Sequence, residues 1–358
     1  MKFKLIIKNF FKFFALTVLA LMFIISDVSY SSASGIVQMS PKINFYHSGG
    51  VQPDAVAIGK NGNIWVANLD SKNLTKLSPN GDIIGNYACG NLPSAIAIAP
   101  NGNVWITDGG YRSGRIVKLS SDGAMLGMYR IDNPGVSPTA LTIASNGNVW
   151  VVNNNNTVTK LSPNGTIIGN YAVGNNPNHI AIAPDGNVWI TNGGFANSVT
   201  VLTSKGVFIQ RYLVGINPTK TANFPSSIAF AQNGNIFITD SSSGGITKLS
   251  SDGAMLGNYP IYYIGTGKSA HNYASPQPGP IAIDKNGNIF VLDRAVYTVT
   301  KLSPNGTIIG NYGPKWNPDL NVNLDAMAID KNGNLWVASG SGRYVLEFEG
   351  VDKGSISH

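Results

Sequence analysis

The chain is poor in the side chains that chemistry uses most. Its 358 residues include one cysteine, four histidines and two glutamates, and only 12% of residues are charged. The single Cys89 excludes an internal disulfide and any cysteine-rich metal site. Glutamate is confined to Glu347 and Glu349, both in the last repeat. No stretch beyond the leader sustains a helical period, which excludes a helical body. None there is long and apolar enough to span a bilayer. No block of Lys or Arg follows the leader either, so nucleic acid is not an expected partner.

The first 33 residues read as a leader to be removed. Lys2, Lys4, Lys8 and Lys12 precede an apolar run from Phe13 to Ser26, and Ser31-Ser32-Ala33 supplies small residues for cleavage. That run is shorter than the ~20 residues of a membrane span, which favours a secretion signal over a retained anchor. The mature protein is therefore expected outside the cytoplasm, periplasmic or extracellular. Its net charge falls from +7 to +4, because four Lys and Asp27 leave with the leader.

What the chain does have is repetition. Residues 157–171, TVTKLSPNGTIIGNY, recur letter for letter at 298–312, and KLSSDGAMLG stands at both 118–127 and 248–257. An aromatic following Gly-Asn-(Ile/Val/Leu) recurs as Trp65, Trp105, Trp150, Trp189, Phe237, Phe290 and Trp336, at intervals of 39 to 53. Each unit divides into four short runs rich in β-branched and aromatic residues, separated by Gly, Asn and Pro. Four-stranded units of this period define a β-propeller. The expectation is all-β: seven antiparallel blades over 34–350, with 351–358 as a tail. The seventh unit lacks a fourth strand of the GTIIGNY type, whereas PKINFYHSGG (41–50) precedes the first unit. A strand from that segment is expected to complete the last blade and close the ring, shielding a sheet edge.

Loop lengths nominate a functional face. With strands lettered A to D from the axis outward, a Pro lies twelve residues before the aromatic in six units, and Leu324 takes its place in the seventh. The A–B turns are thus constant, and the length variation falls in the B–C and D–A connectors, which emerge on one face. Variable loops on a rigid scaffold commonly carry binding. Three residues past each aromatic come Asn68, Asp108, Asn153, Asn192, Asp240, Asp293 and Ser339. Two readings are open for these: a polar ring at the channel mouth that binds ligand, or short side chains satisfying loop backbone. Tyr111, Phe195 and Tyr297 in the B–C loops are candidate contacts for a sugar or peptide. His47, His179 and His271 lie at D–A connectors and are the weak catalytic candidates, with Asp240 and Asp293 as candidate metal ligands. YIGTGKS (263–269) is no phosphate loop, since Tyr262 stands where its first Gly is needed.

The segment PNHIAIAPDGNVWITN (177–192) resembles the virginiamycin B lyase (streptogramin lyase) family, seven-bladed propellers related to NHL-repeat proteins. The resemblance implies this fold over nearly the whole mature chain. For the family's enzymes it implies elimination across an ester C–O bond with bound Mg2+. Their catalytic His follows the Pro of P-x-x-I, and a catalytic Glu lies near the end of a strand B. Here the post-Pro residues are Asp54, Ser94, Thr139, Asn178, Ser226, Gly279 and Asp325, none of them His. The family's W-F-T-E becomes WVAN, WITD, WVVN, WITN, FITD, FVLD and WVAS. The expectation is a monomeric binding propeller for a small molecule, glycan, peptide or envelope protein, with a divergent Mg2+-dependent lyase as the alternative.

Overall fold

The computed structural model describes residues 37–38, 42–109, 114–131, 135–193, 197–215, 224–261, 276–295, 297–312 and 324–351. Among them are seven four-stranded antiparallel blades and no helix. In the fourth blade the strands are A Pro177–Ile182, B Val188–Asn192, C Ser198–Leu202 and D Phe208–Leu213. The A strands of successive blades are neighbours, the seventh against the first included, which places them innermost and closes the ring.

Each strand's sequence follows from its place. Strand B has sheet neighbours on both sides and a blade against each face, so all five of its residues are buried in every blade. Strand D is the rim and alternates, as in the fully exposed-to-partial pattern of IIGNYA at Ile83–Ala88. The core is a set of seven slabs between adjacent blades. One slab pairs Trp150, Val152 and Val158 of blade three with Ile180, Val188 and Ile190 of blade four. The slab between blades seven and one holds Trp336, Ala338 and Val345 against Val56, Ile64 and Val66.

The literal repeats build the joint between blades. Lys160 on strand C lies 5.0 Å over the Trp150 ring and donates to the Ser204 carbonyl of the next blade at 2.7 Å. Tyr171 on strand D packs on the same indole, 5.5 Å between centroids. Its ring then meets Gly206 in the next blade's C–D turn, where a Cβ would stand 2.0 Å away and φ is +88°. Only glycine satisfies both demands there. The second copy repeats the lysine contacts, with Lys301 over Phe290 and donating to the Val351 carbonyl, but its Tyr312 has no glycine seat in the next turn, where Gly350 meets no side chain. Burying such an aromatic stabilises by roughly 2–3 kcal/mol, and the cation above its face adds about 0.5–1 kcal/mol.

The ring closes as the sequence predicts, with Ile43–His47 pairing antiparallel to Tyr344–Phe348 as the outer strand of blade seven. Tyr46 takes the joint position, stacked on Trp336 at 5.3 Å and seated against Gly81. Opposite Trp336, where most blades carry Lys, stands Glu347. It accepts from Tyr46 Oη at 2.9 Å, Asn44 Nδ2 at 3.0 Å and Asn334 Nδ2 at 2.9 Å. Glu349 accepts from Asn44 Nδ2 and pairs with Lys42 at 2.7 Å. Both glutamates of the chain therefore hold the clasp. Burial and the Glu347 carboxylate push the Tyr46 hydroxyl up to about 12.

Candidate functional site

The site begins with a register shift. In blade one Pro53 opposes Asn68 and Ala55 opposes Ala67, which leaves Asp54 as an extra, unpaired residue. The same bulge recurs at Ser94, Thr139, Asn178, Ser226 and Asp325, and across Gly279-Pro280 in blade six. A bulge turns the unpaired side chain out of the ladder. Because the A strands are innermost and start at the D–A connectors, the seven bulges encircle the channel mouth on the variable-loop face.

Several of these residues are tied into the ring. Asn178 Nδ2 donates to the Pro225 carbonyl at 3.0 Å, and Ser226 Oγ to that of Pro278 at 2.8 Å, each reaching the next blade. Ser94 bonds Thr107 at 3.0 Å, and Thr139 Oγ1 donates to the Val152 carbonyl at 3.4 Å. Blade six differs. Gly279 offers no side chain, and the Arg294 side chain from the B–C connector lies in the space, its Nε 3.1 Å from where a Cβ would stand. Arg294 Nη2 donates to the Asp325 carbonyl at 3.1 Å.

The charges interact across the mouth. Burial pushes Asp54 up to about 6; Asp325 adds to the rise and Arg294 opposes it. Asp325 is also raised by burial, against Arg294 and the Gly340 N–H. His179, one residue past its bulge, pairs with Thr191 and is half-buried. Burial, then the Arg294 charge, pushes it down to about 4, so its imidazole is neutral near pH 7. Its Nδ1 is enclosed and meets no hydrogen-bond partner.

The other sequence candidates lie elsewhere. His47 is exposed on the outermost strand of blade seven, with Nδ1 accepting from the Gly49 N–H at 3.1 Å. It is thus separated from His179, which stands on an innermost strand, and the two do not form one group. His271, Tyr111 and Phe195 fall outside the described residues. Tyr297 is 37% exposed and has φ of +57°, an unusual value for a bulky residue.

The Asx set is buried. Asn68, Asp108, Asn153, Asn192 and Asp293 are 0% exposed and Asp240 is 1% exposed. Asp108 Oδ1 accepts the Asn91 and Leu92 N–H groups, both at 2.9 Å, and Asp108 pairs with Arg115 at 3.1 Å. Asp240 Oδ1 accepts from Phe224, Ser242 and Ser243, and Asp293 Oδ1 from Ala295. Asn68 Nδ2 donates to the Ser48 carbonyl and Thr75 Oγ1, Asn153 Nδ2 to Thr157 and Thr159, and Asn192 Nδ2 to Ser198 and Thr200. These side chains tie the end of strand B to its flanking segments. They do not line the mouth in this geometry. Asp240 and Asp293 belong to different blades and direct one oxygen each at local backbone, a poor fit to the converging oxygen donors of Mg2+. Among the described residues no three His, Cys, Asp or Glu side chains gather as a metal site.

Sequence reasoning gave no role to Arg294, Asp54 or Asp325 at the mouth. The available signal was a charged B–C residue, Arg294, in the one unit whose post-Pro position is glycine.

A seven-bladed propeller with bulged inner strands at a polar mouth defines the class. The virginiamycin B lyase family model matches residues 42–346, and the chain belongs to that family. Among solved structures it is similar to virginiamycin B lyase from Staphylococcus aureus, at 16% identity and a TM-score of 0.72, over 86% of this chain and 98% of that one. A streptogramin B lyase structure aligns at 19% identity and a TM-score of 0.71, covering 86% and 96% of the two chains. A catalytically inactive variant of the Staphylococcus aureus enzyme with quinupristin aligns at 16% and 0.73, over 86% and 98%. At these identities the likeness is one of fold. No curated protein matches the chain.

Proposed function

We propose that the chain is an exported ligand-binding propeller whose channel mouth, on the B–C/D–A face, receives a small molecule, glycan, peptide or segment of an envelope protein. The supporting observation is the bulge at one position of all seven inner strands, which presents one residue from each blade, drawn from Asp, Ser, Thr, Asn and Gly. Export rests on the leader's layout, and a monomer on the closed ring. The test is a glycan and peptide array probed with the purified chain. Thr139→Trp, which fills the mouth, should abolish a hit, and Asp185→Ala in an A–B turn on the opposite face should leave it. Equal loss from both would sink the reading.

The second reading is a C–O lyase. An elimination needs one group to take a proton as the C–O bond breaks and another to assist the departing oxygen. Its support is a neutral His179 with a free Nδ1, in the same electrostatic field as Asp54. Against it stands the lack of His at every post-Pro position. Quinupristin incubated with the chain, with and without Mg2+, would show ring opening as a shift in chromatographic retention. Turnover lost on His179→Ala would establish this second reading.

A further inference from the structure

Nine Asn-Gly pairs stand exposed in the tight turns of the constant face. Such pairs are open to self-modification, because glycine leaves its amide nitrogen unshielded by a side chain. Three of them share the sequence Ser-Pro-Asn-Gly, in the C–D turns at 78–81, 162–165 and 303–306. Their backbones match: the glycine φ is +86°, +90° and +89°, and each glycine N–H donates to the serine carbonyl at 2.9 Å. They differ in the next residue, which is Asp82 in the first turn and Thr166 or Thr307 in the others. Beside threonine, the serine hydroxyl donates to the Oδ1 of Asn164 or Asn305, and the threonine N–H donates to the same oxygen at 3.4 Å and 3.3 Å. In the first turn Ser78 Oγ donates instead toward Asp82 Oδ2, at 3.5 Å. The Asn80 carboxamide is left with no hydrogen bond among the described residues.

We propose that Asn80 is a self-modification site, converting to aspartate and isoaspartate through a succinimide, and that this conversion loosens the clasp that closes the ring. The Gly81 nitrogen gives up its proton and attacks Asn80 Cγ. The new N–C bond closes the succinimide as the bond from Cγ to the side-chain nitrogen breaks, and ammonia leaves with that proton. Water then opens the ring at either carbonyl, with no oxidation or reduction. A carboxamide free to turn visits the attacking geometry more often than one held by a hydroxyl. Isoaspartate carries the backbone through its side-chain carbon, which lengthens the turn immediately before Gly81. That glycine is the seat of Tyr46, whose ring lies 2.0 Å from where a Cβ would stand. The Ile43–His47 strand has no C–D turn joining it to blade seven, so hydrogen bonds and the Tyr46 joint alone hold it there. Asn286 and Asn332 are freed in the same way, because Asp284 and Asp330 take the turn N–H groups. They convert as well, but neither turn seats Tyr46.

The experiment holds the full chain in warm, mildly alkaline buffer and samples it over time. Peptide mapping follows each Asn-Gly pair, enzymatic methylation detects isoaspartate, and hydrogen exchange is read over 43–47 and 344–348. Asn80 should convert about fivefold faster than Asn164 and Asn305, the worth of one hydrogen bond. Asp82→Thr, which restores the sequence of the other two turns, should slow Asn80 to their rate, and Thr166→Asp should quicken Asn164. Exchange at the clasp should rise in step with conversion in the wild type. It should stay low in Asp82→Thr, where Asn286 and Asn332 still convert, and in Asn80→Gln, whose longer side chain cyclises far more slowly. Equal rates at the three Ser-Pro-Asn-Gly turns, or a rate at Asn80 indifferent to Asp82→Thr, overturns the site. Conversion of Asn80 with exchange at 43–47 unchanged overturns the loosening of the clasp.

Discussion

The two ends of the same blades are built on opposite rules. At the constant face, Lys, Tyr and turn glycine recur with little change, and the fifteen-residue identity of blades three and six falls there. At the mouth, one bulged position carries Asp, Ser, Thr, Asn, Ser, Gly and Asp in turn. Duplication explains how such a chain arises, but only the joint explains why these residues stay: each must fit the next blade's turn as well as its own sheet. A bulged residue has no partner in the strand ladder, and the neutral polar ones reach backbone or a neighbouring hydroxyl that several short side chains can meet, so it is free to differ. Perturbing the joint should therefore cost stability, and perturbing the mouth should change charge and binding.

The largest expected effect is at a regular joint. Trp150→Ala empties the slab between blades three and four and removes the surface on which Lys160 and Tyr171 rest. A loss of about 3–5 kcal/mol is expected, read as a fall in urea midpoint. A fall of under ~1 kcal/mol would mean the joint is not what holds neighbouring blades.

The clasp comes next, because it is the same joint with the charge reversed. Glu347→Lys restores the residue found opposite most of the other anchors, yet Tyr46, Asn44 and Asn334 all donate toward this carboxylate. The substitution should destabilise by about 2–3 kcal/mol, since three donors lose a charged acceptor in a buried place. A neutral outcome would make the clasp an ordinary joint. Lys42 and Glu349 contribute far less, as exposed pairs do. The Glu349 carboxyl is held below its usual value by Lys42 and Asn44, so what it adds is present at neutral pH and lost under acid.

Much of the constant face was legible in the sequence, because glycine spacing and the recurring aromatic are local signals. The clasp was legible too: the last unit lacked a strand that the N-terminal segment could supply. The mouth was not. A bulge is a register between two strands, and nothing in P-x-x-I states that the residue after Pro is unpaired. The Asx residues were conspicuous by position, but burial depends on connectors folding over them, which a spacing rule does not reveal. Arg294 was hidden for a related reason: its importance comes from the absence of a side chain at Gly279, fifteen residues earlier.

At the mouth, Asp54→Asn should have a smaller effect with a distinctive sign. The Asp54 carboxyl sits at about 6 in the folded chain, above its ordinary 3.8. The folded state therefore holds the proton more tightly, and this group's contribution to stability declines as pH rises from about 4 to 6, then levels off. Asparagine removes the decline. The variant should gain about 1 kcal/mol over wild type above pH 6, allowing for screening by water at the open mouth. His179 works in the opposite direction. Its neutral form is favoured, so its contribution is lost as pH falls from 6.5 toward 4. The difference between wild type and variant isolates Asp54, and an unchanged pH slope would show that the carboxyl is not strained.

The smallest effect on stability, and the sharpest on charge, belongs to Arg294→Gln. Arg294 is exposed and makes one backbone bond, so its loss should shift stability by no more than about 0.5 kcal/mol. Its positive charge lowers the values of Asp54, Asp325 and His179 alike. Removing it should raise all three, moving Asp54 further above 6 and His179 upward from about 4. Carboxyl and imidazole NMR titrations would resolve the two shifts separately. A guanidinium that merely fills the space left by Gly279 would leave both titrations unmoved, and the mouth would then be a collection of independent side chains rather than one electrostatic unit.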